Sequence, residues 1–128
     1  MKKILIIALL LFFVKTVSAQ TFYVEKTSDG FEQPIIDKLV ELNKKITTKQ
    51  DSSDYTIKCI IQKAAKFSAE GNIEIYETKT GNALQKSKLV KGRTTAFNGY
   101  ASPKKIVMNI IAKDYLYDLL FEVEKTKK

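Results

Sequence analysis

Tyr55, Ile57, Cys59 and Ile61 hold alternate positions of one run, with Thr56, Lys58 and Ile60 between them. A side-chain period of two puts the first set on one face of a strand, so this segment demands a sheet with one covered face. In such a place Cys59 reads as a small buried apolar residue. Ile73 and Ile75 repeat the pattern. Lys79-Thr80-Gly81-Asn82 then turns the chain and Ala83 to Val90 returns it, which reads as a β-hairpin. Ala64 to Asn72 is ambiguous, with Gly71-Asn72 as a turn signal.

Two segments of helical period can cover the apolar face. From about Glu32 to Ile46, the residues Phe31, Ile35, Leu39, Leu42 and Ile46 recur every three or four positions. Pro34 suits the first turn of that helix, where its missing N–H costs nothing. Ser102-Pro103 opens a second, long helix to about Val123. Thr21 to Lys26 reads as a strand with Phe22 and Val24 on one face, and Lys91 to Ser102 reads as a loop. The order is strand, helix, three strands, helix. It predicts an α+β domain: a mixed sheet of about four strands with two helices on one face.

Ahead of this domain stand Lys2 and Lys3, an apolar run from Ile4 to Val14, and Val17-Ser18-Ala19. Those are the three parts of a secretory signal peptide, cleaved before Gln20. As a helix the apolar run would rise only ~16 Å, against a hydrocarbon core of roughly 30 Å. Residues 1–19 are therefore expected to leave, and 20–128 to form one domain with no transmembrane segment. Three of the 22 Lys and Arg go with the leader, so against 14 Asp and Glu the mature chain keeps a net charge of +5. In an extracytoplasmic setting that excess points to anionic envelope components rather than to nucleic acid.

No catalytic residues are assigned. The chain has one Cys and no His, which removes the usual nucleophile–base pairs and zinc sets. No Gly-rich phosphate loop and no calcium-loop spacing appear, so no cofactor and no metal are expected. Asp114 and Asp118 read as a solvated helix edge. Two surface features remain. Lys86, Lys88, Lys91 and Arg93 form a basic cluster, readable as edge-strand protection or as an anion-binding patch. The last helix is too apolar for one buried face: Met108, Ile111, Tyr115 and Leu119 form one stripe, and Ile106, Ile110, Tyr117, Leu120 and Phe121 another. Lys113 sits within the second stripe, so Ile106, Ile110, Tyr117 and Phe121 are read as the outward protein interface.

Ser53-Asp54-Tyr55 entering a strand, and the run Ile73 to Thr78 leading into Thr80-Gly81 and a returning strand, resemble a pattern of exported bacterial proteins. The pattern is similar to the periplasmic α/β domains of the TolB N-terminal, curli-secretion lipoprotein and penicillin-binding-protein-activator type. It covers about residues 50–121 in register. This chain departs from the lipoprotein members in having no Cys directly after the signal. The resemblance implies a non-enzymatic envelope domain that docks to another protein. The function expected is thus an exported binding or adaptor domain, whose partner is a cell-envelope protein or a second copy. A small-ligand or anionic envelope-polymer binder is the second reading, and a secreted inhibitor or immunity protein the third.

Overall fold

The computed structural model describes residues 20–99 and 101–125; the expected signal peptide lies outside them. The strands and helices run β1 (Thr21–Val24), α1 (Gln33–Glu41), β2 (Lys45–Ile46), β3 (Tyr55–Ala64), β4 (Ser68–Glu77), β5 (Ala83–Lys86), β6 (Val90–Arg93), α2 (Pro103–Asp114) and α3 (Leu116–Lys125). The fold is α+β. Its sheet is mixed, in the order β2-β1-β3-β4-β5, with β6 also on β4. β1 runs parallel to β2 and β3, and the remaining pairs are antiparallel. Among the described residues six strands and three α-helices thus stand where about four strands and two helices were expected.

The alternation in β3 and β4 decides which face is covered. Tyr55, Ile57, Ile73 and Ile75 are buried with Phe22 and Val24, under Ile35 and Leu39 of α1 and Val107, Met108 and Ile111 of α2. Phe22 and Tyr55, partners in the parallel β1–β3 pair, hold their rings 5.3 Å apart. Cys59 and Ile61 pack against this core half-buried.

α1 stops at Glu41, five residues short of the expected Ile46. Asn43 adopts a left-handed φ of 59°. The N–H groups of Asn43 and Lys44 turn back to the carbonyls of Val40 and Leu39 at 3.0 and 2.9 Å. This is the Schellman closure, for which Asn is the next choice after Gly. The chain leaves the helix there, and Lys45 and Ile46 pair with Thr21 and Phe22 instead.

Gly71-Asn72 is not a turn but the interior of β4. A Cβ on Gly71 would stand 2.3 Å from the carbonyl oxygen of Ile60, so glycine permits a close approach of β3. The turn lies earlier, at Ala65–Phe67, and a register shift between Ile61 and Lys63 accompanies it. The returning run Ala83 to Val90 is likewise two strands. β5 faces Glu74–Tyr76 and β6 faces Ser68–Gly71, both along one side of β4. Between them Ser87 is buried: its N–H reaches the Ile73 carbonyl, and its Oγ accepts from the Ile73 N–H, both at 2.9 Å.

The C-terminal helix is two helices, broken at Tyr115 (φ −125°, ψ −29°). No Gly or Pro marks the break. Its cause is visible in the burial. α2 buries Val107, Met108, Ile111 and Ala112, whereas α3 buries Leu116, Leu120 and Val123. At about 100° per residue these two faces would point roughly 115° apart on one straight helix. The bend brings both onto one core.

Candidate functional site

The break reorganises the aromatic stripe read from the sequence. Tyr117 and Phe121 lie one turn apart on α3 and are 59% and 56% exposed. Leu120, read on the same stripe, is buried in the core. Ile106 and Ile110 belong to α2 and are half-buried. Ile106 rests on β6, since a Cβ on Gly92 would sit 3.0 Å from its Cγ2, and Ile110 packs on the core. The structure therefore keeps Tyr117 and Phe121 together and sets the two isoleucines on a separate helix.

Of the basic cluster, Lys86, Lys91 and Arg93 are exposed at positions opposite Glu74, Glu70 and Ser68 of β4. β3 adds Lys58 opposite Glu74 and Lys63 opposite Glu70. Each carboxylate thus lies between two lysines across neighbouring strands, on the sheet face away from the helices. These five cations outnumber Glu70 and Glu74. Lys58 also places its Nζ 4.8 Å from the centroid of Tyr76. Gln62, Lys63, Glu70, Asn72, Lys86 and Leu89 line a depression of ≈ 400 Å³ there. Lys88 is not part of this face: β5 ends at Lys86, and the Lys88 Nζ lies 5.8 Å from the Tyr115 ring. Lys58 could have been found from its place between Ile57 and Cys59. Lys63 could not, because the register shift before it leaves no mark in the sequence.

Ser53-Asp54-Tyr55 and Thr78 come together at the opposite end of β3. Asp54 Oδ2 accepts from the N–H and Oγ1 of Thr21, at 2.9 and 3.2 Å, clamping the start of β1 to β3. Ser53 and Thr56 hydroxyls each meet Thr78 Oγ1 at 2.9 Å. Gly81 takes a φ of 73° in the β4–β5 turn. Asp51, Ser53, Asp54, Glu77 and Lys79 are among the residues lining an open cleft of ≈ 620 Å³ beside this chain. Its hydroxyls bond mainly to one another, so the motif pins strand ends.

Cys59 and Glu32 both have shifted acidities. Burial pushes the Cys59 thiol up to about 12, with the Glu32 and Glu25 carboxylates adding to it, which makes it a poor nucleophile. Burial alone would raise the Glu32 carboxyl as well. Hydrogen bonds from the N–H and Oγ1 of Thr27, at 2.9 and 2.7 Å, its own backbone N–H and the charge of Lys26 bring it below the usual range instead. Among the described residues no group of three or more His, Cys, Asp or Glu could hold a metal ion, and no helix is long and apolar enough to cross a membrane.

No protein-family profile matches the sequence, and no curated protein sequence matches it. Among solved structures the fold is similar to TolB from Acinetobacter baumannii, with a TM-score of 0.54 and 13% identity over 80% of this chain. The chain spans 28% of the length of that TolB. A minor lipoprotein from Acinetobacter baumannii gives a TM-score of 0.48 at 12% identity, covering 84% of this chain and 94% of its own. Lipoprotein GNA1162 from Neisseria meningitidis gives 0.46 at 9% identity, covering 84% and 95%. At these identities the likeness is one of fold, and the two lipoprotein scores carry no further argument. The resemblance to TolB-type envelope domains, read from Ser53-Asp54-Tyr55 and Thr80-Gly81, holds at that level.

Proposed function

We propose that this chain is an exported, non-catalytic binding domain of the bacterial envelope that acts by docking another protein, or a second copy of itself, on α3. The observation that carries the reading is the pair Tyr117 and Phe121. They are large, exposed and adjacent on a helix whose other face is already held in the core by Leu116, Leu120 and Val123. Exposed aromatic pairs of this kind are typical anchors of protein interfaces. The leader pattern of residues 1–19 supports a periplasmic or secreted location, and the fold shared with TolB agrees with an envelope role. Ile106 and Ile110 extend the proposed surface only by what they leave exposed on α2.

A photo-crosslinking amino acid at Phe121, in cells making the full chain, tests the proposal. A discrete crosslinked product is expected. In a chain that also carries Tyr117→Lys it should fall about tenfold, as the loss of one central aromatic anchor implies, with the melting temperature unchanged. Unfolding by Tyr117→Lys would assign Tyr117 to the core, and an undiminished product would remove it from the interface.

A second reading rests on the cationic sheet face. Lys58, Lys63, Lys86, Lys91 and Arg93 suit an anionic ligand or envelope polymer, which distinguishes that reading from docking through α3 by its dependence on ionic strength.

A further inference from the structure

At the far end of β3 from the Asp54 clamp, two loops meet. The turn Ala65–Phe67 joins β3 to β4, and β6 ends beside it, with Arg93 opposite Ser68. The N–H of Thr94 donates to the Phe67 carbonyl at 2.7 Å, fixing one loop to the other. The chain then makes a short 3-10 turn, Ala96–Asn98. Its shape is set by the side chain of Asn98, whose Oδ1 accepts from the N–H of Thr95 and whose Nδ2 donates to the Arg93 carbonyl, both at 3.0 Å. Thr94 Oγ1 adds a bond to the Ala101 carbonyl at 2.8 Å, and Gly99 takes a φ of 67°.

This well-tied tip displays two phenylalanines. Phe97 is 102% exposed and Phe67 57% exposed. Lys66 sits over the Phe67 ring, 5.3 Å from its centroid. Lys63, Lys91 and Arg93 stand on the strands that run into the same end. The charge around the rings is mostly positive, with Glu70, between Lys63 and Lys91, as the acid on the adjoining strands. The stretch from Val90 to Ala101 carries Lys91 and Arg93 and no Asp or Glu, and the turn Ala65–Phe67 has no acid either.

We propose that this tip binds a bilayer surface rich in anionic phospholipid. Phe67 and Phe97 enter the boundary between headgroups and acyl chains, while Lys63, Lys66, Lys91 and Arg93 meet the headgroup phosphates. Aromatic rings on a fixed loop, beside cations that outnumber the neighbouring Glu70, match that layer in both polarity and net sign. A protein partner would need a pocket shaped for Phe97 and a flat surround of roughly 800 Å² to go with it. A bilayer needs neither, because it deforms around the ring. Two rings and a few cations give reversible, salt-sensitive attachment rather than permanent anchorage. The proposal is independent of what α3 docks.

The chain contains no Trp, so Phe97→Trp introduces a single fluorescent reporter. The exported protein, purified from the cells that make it, is mixed with vesicles of phosphatidylglycerol and phosphatidylethanolamine, and separately with vesicles of phosphatidylcholine alone. The expected result is a blue shift of the Trp emission and quenching by brominated acyl chains with the anionic vesicles only, reversed by salt. In sedimentation, Phe67→Ser with Phe97→Ser should lower the bound fraction at least roughly tenfold, as the loss of two buried rings implies. Lys91→Glu with Arg93→Glu should abolish it, and Tyr117→Lys should leave it intact. Equal binding to both vesicle types, or an unshifted emission from bound Phe97→Trp protein, would overturn the proposal. So would anionic-vesicle binding that survives the double Ser variant at an unchanged melting temperature. Binding of soluble polyphosphate without vesicle binding would also overturn it, in favour of a soluble polyanion.

Discussion

Glu32 shows how one side chain can organise a connection that no periodicity reveals. It is 7% exposed at the entrance to α1, and its Oε1 accepts from both the N–H and the hydroxyl of Thr27. The same hydroxyl accepts from the N–H of Phe31 at 3.0 Å, so the loop between β1 and α1 is folded around this carboxylate. The folded pKa of Glu32 is lowered from the usual 4.5. A depressed carboxyl contributes stability that is complete above its unfolded value and is lost as pH falls through its folded value. The domain is therefore expected to lose stability on acidification below about pH 4.5, and Glu32→Gln should remove that part of the slope. At neutral pH Glu32→Gln should cost about 1–3 kcal/mol, because the amide brings a buried N–H group with no acceptor prepared for it. Urea unfolding of both proteins from pH 3 to pH 7 checks this, and parallel curves would contradict it. Phe31 and Ile35 were legible from their spacing. Glu32 was not, since its partner Thr27 lies in a loop, where spacing says nothing about contact.

Among the elements, β3 and β4 were written most clearly, because one covered face imposes strict alternation on Tyr55, Ile57, Ile73 and Ile75. What hid the rest was backbone geometry. Asn43 closes α1 through a left-handed residue, and the bend at Tyr115 follows from where α2 and α3 bury their faces. Both depend on tertiary contacts that a helical period cannot register. Gly71 is the sharpest case: a residue that signals a turn instead lies within β4, where a Cβ would stand only 2.3 Å from the Ile60 carbonyl oxygen. The obstacle is backbone, with Ile61 Cδ1 at 2.9 Å and Val107 Cγ1 at 3.3 Å behind it. Gly71→Ala should therefore force β3 and β4 apart and cost about 2–3 kcal/mol. Chemical denaturation measures it, and a change of under ~0.5 kcal/mol, the range of ordinary surface substitutions, would show that the strands can shift freely.

On the scale of the whole molecule, the balance of charge differs between the two ends of β3. Its start lies beside Asp51, Asp54, Glu77 and Lys79, and its end among Lys63, Glu70, Lys91 and Arg93. The basic cluster was half legible: Lys86, Lys91 and Arg93 share a face, whereas Lys88 faces Tyr115 and Lys58 and Lys63 come from a strand distant in sequence. The aromatic pair on α3 was legible as composition, and its separation from Ile106 and Ile110 was not, because the helix break carries no sequence mark. The envelope role proposed for this domain requires that it leave the cytoplasm. Intact-mass measurement of the protein released from the extracytoplasmic fraction of cells expressing the full chain tests that requirement most directly. A mass beginning at Gln20, in the fraction freed without detergent, is the result expected. A mass that retains residues 1–19, found only with the cytoplasm, would contradict the account.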